Sequence, residues 1–225
     1  FIGAIMLKST DKVFQDYANF VLKFEGKGSN DPTDTASQYV GKGQIHTMRG
    51  VIWPTFQANA KKIGLEPTYQ NFLKLTKQQA TDILYQFYLI CKGNKLADSI
   101  GLTLTEFTWG SGLGNSSKAL RKAVRSFGFD KIDSSGPIND ALIKAANSIP
   151  VPQLYNKLWQ DRKDFLIAIP ERNPSQKKFI NGWLNRWNQF QKKFPNTTKA
   201  GIGIGLLIIG AGLFFLIKKR YARQL

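Results

Sequence analysis

The sequence predicts a mainly α-helical protein, and three observations support this fold class. Apolar residues recur at three- and four-residue spacing through several segments, which is the pattern of a helix with one buried face. Helix-start signals accompany the pattern, such as Thr76 to Gln79, which has the form of a capping box. Strand signals are scarce, because no clear alternating run is joined to another by an Asn-Gly or Asp-Gly turn.

The first predicted helix covers residues 10–24, with Ser9 or Thr10 at its start and Gly26 at its end. A polar loop over residues 26–44 follows, rich in turn-forming residues and without periodicity. Further helices are predicted at 54–63, 76–89, 102–107, 117–127, 137–147, 152–169 and 174–193. Only residues 38–52 are expected to hold a short strand.

Residues 200–217 predict a single transmembrane helix. They form a run of eighteen residues without a charge, which at about 1.5 Å per residue spans roughly 27 Å. The run ends at Lys218, Lys219 and Arg220, as expected at a membrane boundary. Gly201 and Gly205 are spaced like the small residues that let two such helices approach, so we expect this helix to permit a homo-oligomer.

The formal net charge of +17 predicts an anionic partner. Nucleic acid, lipid headgroups and acidic cell-wall polymers are the three classes that fit. Residues 177–199 contain no acidic residue and precede the predicted membrane helix, which favours a lipid bilayer. Nucleic acid is disfavoured, because the chain has neither zinc-ligand spacing nor a basic region followed by heptads.

Cysteine and histidine are too few for the usual metal or thiol chemistry. Cys91 is the single cysteine and His46 the single histidine, and they lie in different segments. No intrachain disulfide, Cys/His metal site or Cys-His nucleophile pair is therefore expected. No cofactor is predicted.

Glu25 is the most informative carboxylate, because it ends an apolar helix and precedes the long loop. The negative end of the helix dipole and the neighbouring Phe24 both favour the protonated carboxyl that a general acid needs. Lys23 and Lys27 act in the opposite direction if they point toward it. A solvated surface glutamate remains the alternative.

The loop adds Asn30, Asp31 and Asp34 within ten residues of Glu25. Glycoside hydrolysis needs several polar side chains close together. One carboxyl protonates the leaving oxygen, while a carboxylate or a held water acts on the opposite face of the sugar. The alternative is that these side chains form local turn hydrogen bonds.

The segment K-F-E-G-K-G-S-N-D-P-T-D, from Lys23 to Asp34, resembles the opening motif of the glycosyl hydrolase 108 family of N-acetylmuramidases. Three more segments are similar to family motifs and follow in family order over nearly all of residues 12–190. They are H-T-M-R-G-V (His46 to Val51), W-G-S-G (Trp109 to Gly112) and the closing stretch from Arg172 to Arg186.

The resemblance implies a lysozyme-like helical fold and cleavage of the β-1,4 bond after N-acetylmuramic acid in peptidoglycan glycan strands. Glu25 is then the catalytic acid, and we expect Asp31, or less readily Asp34, to orient or activate a water. Substrate-binding residues are expected at Asn30, Asp34, Thr47, Trp109 and Ser111. Trp109 offers a flat surface for a sugar ring, although a core tryptophan is the alternative.

The resemblance also predicts the organisation of the chain. Residues 1–115 correspond to the catalytic lobe, and residues 116–194 to a small helical peptidoglycan-binding part and the closing helices. A linker at 195–199, the membrane helix at 200–217 and a basic tail at 218–225 complete the prediction. The N-terminal domain is expected to face the cell wall or periplasm, or alternatively to sit on the internal membrane of a phage virion.

Departures from the family pattern leave other functions open. Lys27 replaces a glycine after Glu25, Ile52 replaces a threonine, and Glu106 stands where many relatives have aspartate. A catalytically weakened wall-binding or structural membrane protein is therefore one alternative. A lytic transglycosylase, which uses one carboxyl without a water, is the other.

Overall fold

The structure is a computed structural model that describes residues 7–196, and helices dominate within them, which confirms the predicted class. Short 3-10 turns occur at Thr35–Tyr39, Ala60–Ile63, Gly93–Lys95 and Pro174–Phe179. The α-helices are α1 (Lys12–Lys23), α2 (Trp53–Asn59), α3 (Tyr69–Leu73), α4 (Lys77–Ile90), α5 (Asp98–Ser111), α6 (Leu113–Arg125), α7 (Asp140–Asn147), α8 (Val151–Arg172) and α9 (Ile180–Lys193).

A small antiparallel sheet follows α1. Its strands are β1 (Gly28–Ser29), β2 (Thr47–Met48) and β3 (Val51–Ile52), in that order. The strands β2 and β3 lie in the predicted region, whereas β1 lies outside it. Arg49 and Gly50 join β2 to β3 with φ of 49° and 76°. Positive φ at both central residues is typical of a type I′ hairpin turn. The usual sequence of such a turn is Asn-Gly or Asp-Gly, so the Arg-Gly pair did not predict it.

Helix α5 lies at the centre of the fold. Every residue from Ile100 to Thr108 is buried, so the helix shows no single apolar stripe, and only residues 102–107 were predicted as helical. Two of its buried hydroxyls are satisfied within the helix, since Thr103 donates to the Ser99 carbonyl at 2.7 Å and Thr105 to the Gly101 carbonyl at 2.7 Å. Helices α4, α6 and α8 pack around α5.

Three clusters of buried apolar side chains surround this axis. One joins α5 to α6, α7 and α8, a second joins α1, α4 and α9, and a third joins the hairpin to α2, α3 and α4. Trp109, near the end of α5, packs against both the second and the third cluster. The space around Trp109 is therefore where the helical and hairpin parts meet.

Several boundaries differ from the sequence predictions for local reasons. The segment 174–193 divides into a 3-10 turn and α9, and the short α3 was not predicted. Helix α7 begins at Asp140 rather than at Pro137, because the Asn139 side chain accepts from the Leu142 amide at 2.9 Å and caps it. The predicted division between residues 115 and 116 falls within α6. The capping box at Thr76 and Gln79 is confirmed.

No helix within residues 7–196 is long and apolar enough to cross a membrane. The predicted membrane helix at 200–217 and the basic tail at 218–225 lie outside the described residues. Membrane insertion and the homo-oligomer expected from it therefore stay predictions.

Candidate active site

Glu25 follows the last turn of α1, where its amide donates to the Leu22 carbonyl at 3.3 Å. Phe24 caps the helix and packs against the second cluster, which sets the direction of the chain at this point. The Glu25 side chain is 23% exposed. It is thus held by the protein and still open to a ligand.

Arg186 of α9 bridges two carboxylates. Its Nη1 donates to Glu25 Oε1 at 2.9 Å, and its Nε donates to Glu106 Oε1 at 2.8 Å. Glu106 lies in the buried part of α5, with a side chain 5% exposed. Burial acts to lower the pKa of Arg186, but the Glu106 and Glu25 carboxylates outweigh it and raise that pKa above its ordinary value.

Tyr17 of α1 completes this network from the opposite side. Its hydroxyl donates to Glu106 Oε2 at 3.4 Å. Burial, and then the charge of Glu106, raise the pKa of Tyr17 well above the usual value, so the hydroxyl keeps its proton. The network joins α1, α5 and α9, and it leaves Glu25 as its outermost carboxylate.

Trp109 lies beside Glu25, and its predicted contact with a sugar stays a prediction. Its Nε1 is 3.5 Å from Glu25 Oε1, a long hydrogen bond, and its ring meets Phe87 edge-on at 5.0 Å between centroids. The indole is half-buried and belongs in part to the core. The indole therefore packs in the core and also borders the Glu25 carboxyl.

The β2–β3 turn closes tightly over Glu25. A Cβ placed on Gly50 would lie 2.5 Å from Glu25 Cγ and 2.9 Å from Oε2, so only glycine fits here. Arg49 anchors the turn, because its amide donates to the Lys27 carbonyl at 3.2 Å and its Nε donates to the Leu75 carbonyl at 2.9 Å. Lys27 thus contributes a backbone contact, while its side chain is exposed.

The two loop aspartates make local hydrogen bonds. Asp31 Oδ1 accepts from the Thr33 amide at 2.8 Å and the Thr33 hydroxyl at 2.7 Å, and these bonds lower the pKa of the Asp31 carboxyl. Asp34 Oδ1 accepts from the Ala36 amide at 2.9 Å and caps a 3-10 turn. Across residues 7–196 neither carboxylate hydrogen-bonds to Glu25, and their roles toward a substrate stay predictions.

His46 ties this loop to the sheet. Its Nε2 donates to the Asp31 carbonyl at 3.1 Å, and its Nδ1 lies 2.8 Å from the Thr47 hydroxyl. His46 is fully buried, so its role here is structural. The predicted sugar contact of Thr47 stays a prediction. Asn30 is exposed beside this anchor.

A cavity of about 170 Å³ is lined in part by Arg186, the residue that also binds Glu25. The predicted residue Ser111 is at its edge, where its Oγ accepts from Arg162 Nη1 at 2.6 Å. The cavity is lined by Glu106, Gly110, Ser111, Arg162, Leu166, Ile169, Trp183, Arg186 and Trp187.

Sequence analysis did not identify Arg186, Arg162 or the role of Glu106. Glu106 stood out only as a departure from the family pattern. A carboxylate inside the apolar run of α5 does require a cationic partner. The sequence pattern does not identify this partner, Arg186, because it is 80 residues away in the chain.

Across residues 7–196, no group of three or more His, Cys, Asp or Glu side chains could hold a metal ion. Cys91 is buried, and burial raises the pKa of its thiol to about 11. Its chemistry is therefore that of a small core residue.

Comparison with known proteins gives one family match and one similar solved structure. Residues 18–112, which include Glu25, Gly50 and Trp109, match the model of the glycosyl hydrolase 108 family. No curated protein matches the chain. Among solved structures, SagA from Brucella abortus aligns with a TM-score of 0.64 at 20% identity, covering 84% of this chain and 97% of that chain, which shows a shared fold. Residues 18–112 of this chain are thus similar to the glycosyl hydrolase 108 family, and this match supports a glycosidase.

Proposed function

We propose that this glycosidase cleaves peptidoglycan glycan strands at the β-1,4 bond after N-acetylmuramic acid, with Glu25 as the general acid. The observation that carries the proposal is the asymmetric environment of the Glu25 carboxyl. Arg186 Nη1 and Trp109 Nε1 both donate to Oε1. Among residues 7–196 no donor reaches Oε2.

This asymmetry suits proton donation. Oε1 can accept from Arg186 whether the carboxyl is ionised or neutral, so the donors hold the group in place throughout. Oε2 carries the proton and delivers it to the glycosidic oxygen, which breaks the bond as the sugar develops oxocarbenium character. Gly50 keeps the space beside Oε2 free of a side chain.

Asp31 is our choice for the group that orients the attacking water. The Thr33 hydrogen bonds lower its pKa and keep it ionised, as a base requires. The water attacks the anomeric carbon and passes its proton to the carboxylate. The predicted lysozyme-like arrangement, with Asn30, Asp34 and Thr47 contacting the sugar, belongs to the same proposal.

A lytic transglycosylase is the second candidate, and the local hydrogen bonds of Asp31 favour it. If that carboxylate serves only the turn, one acid acts alone and the sugar's own hydroxyl closes an anhydro ring. Hydrolysis instead leaves a reducing end, so analysis of the products separates the two reactions.

We also propose that residues 200–217 anchor the domain to a membrane, with its cleft toward the cell wall. Lys192 and Lys193, exposed at the end of α9, begin the stretch that leads to this segment. A basic surface there suits anionic headgroups. A host envelope and the internal membrane of a phage virion fit this arrangement equally.

Glu25→Gln should lower the rate of glycan cleavage at least about 100-fold, because the amide cannot donate the acid proton. The measurement is release of reducing or anhydro ends from purified peptidoglycan, with circular dichroism to check folding. Glu171→Gln, at an exposed glutamate, is the matched control and should keep full activity. A fully active Glu25→Gln variant would remove Glu25 from the mechanism.

Asp31→Asn tests the water-orienting role without disturbing the loop. The asparagine carbonyl can still accept both Thr33 hydrogen bonds, so the turn is retained while the charge is lost. We expect a fall in hydrolysis of about 10-fold or more. The control is Asp130→Asn at another exposed aspartate. Unchanged formation of reducing ends would contradict a role for Asp31.

Gly50→Ala should displace the Glu25 carboxyl, because the new methyl group meets Cγ and Oε2. A shift of about 1 Å in a catalytic group costs about 100-fold in rate, and that is the loss we expect. Gly64→Ala is matched in backbone strain, with φ of 74° against 76°, but its methyl group meets nothing within 4 Å. Equal activities of the two variants would show that the close approach is irrelevant to catalysis.

A further inference from the structure

Arg162 of α8 is a buried cation that forms no salt bridge with a carboxylate of residues 7–196. It is 6% exposed, and its Nε is buried with no hydrogen bond in the part of the chain that the structure describes. Its one hydrogen bond within residues 7–196 is from Nη1 to Ser111. A buried, unpaired charge is costly, so its presence beside a cavity requires an explanation.

Aromatic rings compensate part of this cost. The Arg162 guanidinium lies 4.3 Å from the Phe107 ring centroid and 5.4 Å from that of Phe165. Such rings stabilise the cation through its flat faces and leave the N–H groups at its edge free to donate. Burial lowers the pKa of Arg162 to about 10, which keeps the group charged at neutral pH.

The cavity has unequal charges on its walls. Arg162 and Arg186 both line it, whereas Glu106 is the carboxylate among its lining residues. Glu106 is already bonded to Arg186, and it acts on Arg162 only through its charge, without a salt bridge between them in residues 7–196. Gly110 contributes to this arrangement, because a Cβ there would lie 2.9 Å from Arg162 Nη2.

We propose that this cavity binds a carboxylate of the glycan substrate through Arg162, and that Arg162 thereby selects muramic acid residues over neutral sugars. The proposal rests on the proposed function, because Arg186 both lines the cavity and binds Glu25. The carboxylate belongs either to the lactyl group of muramic acid or to the peptide attached to it. Trp183, half-exposed at the cavity, offers a surface for the accompanying ring.

The test measures binding rather than turnover, using the full chain with Glu25→Gln. Ligand-observed NMR compares N-acetylmuramic acid with its methyl ester, and peptide-bearing glycan strands with the same strands after amidation of the peptide carboxylates. We expect the charged member of at least one pair to bind about 10-fold more tightly, since charge-assisted hydrogen bonds to arginine are strong. Tighter binding of N-acetylmuramic acid than of its methyl ester would identify the lactyl carboxylate as the group bound by Arg162. A difference only between the two kinds of glycan strand would identify a peptide carboxylate instead. No discrimination in either pair overturns the proposal.

Gly110→Ala connects the effect to Arg162 without removing a buried side chain. The added methyl group displaces the guanidinium, while alanine is the better helix former, so the variant should fold. The charge discrimination should fall to about two-fold or less. Gly114→Ala, where the new methyl group meets nothing within 4 Å, should keep it. Full discrimination by Gly110→Ala would contradict the assignment to Arg162.

These results are separable from those on the proposed function. Loss of discrimination with Glu25 still essential for cleavage refutes only the carboxylate site. If Glu25→Gln keeps full cleavage activity, Glu25 is not the general acid. The binding comparison remains valid in that case.

Discussion

The salt bridge from Arg186 to Glu106 and Glu25 is the interaction on which the site depends. Glu106 is buried in the central helix, and a buried carboxylate is stable only when paired and hydrogen-bonded. Arg186 provides that pairing from α9, at the other end of the chain. Because the same guanidinium also binds Glu25, the stability of the core and the position of the Glu25 carboxyl are coupled.

The surrounding structure fixes the position of the Glu25 carboxyl, which remains partly exposed. Trp109 borders Glu25 from α5, and the β2–β3 turn approaches it so closely that only Gly50 is tolerated. Arg49 donates to the Leu75 carbonyl, and this hydrogen bond joins the β2–β3 turn to the helical part. Separate segments therefore determine the direction of one carboxyl group, and within residues 7–196 their donors reach Oε1 alone.

Local sequence patterns were sufficient for much of the helical fold, and they singled out Glu25 as the candidate acid. Periodicity and caps depend on neighbouring residues, as the confirmed box at Thr76 shows. Helix α5 was predicted too short because burial on all sides removes the periodic signal. Arg186 and Arg162 were missed since their partners are distant in the chain. The sequence placed Asp31 near Glu25 but could not decide between chemistry and its turn hydrogen bonds with Thr33.

The most direct test of this account is the pair of variants Arg186→Met and Arg186→Met with Glu106→Gln, measured for both stability and cleavage. The single variant leaves Glu106 buried and unpaired, and its free energy of unfolding should fall by about 3 kcal/mol or more. The double variant removes the unpaired charge and should recover most of that stability, while glycan cleavage stays impaired because Glu25 is no longer held. A single variant with normal stability and activity would contradict the central role of Arg186.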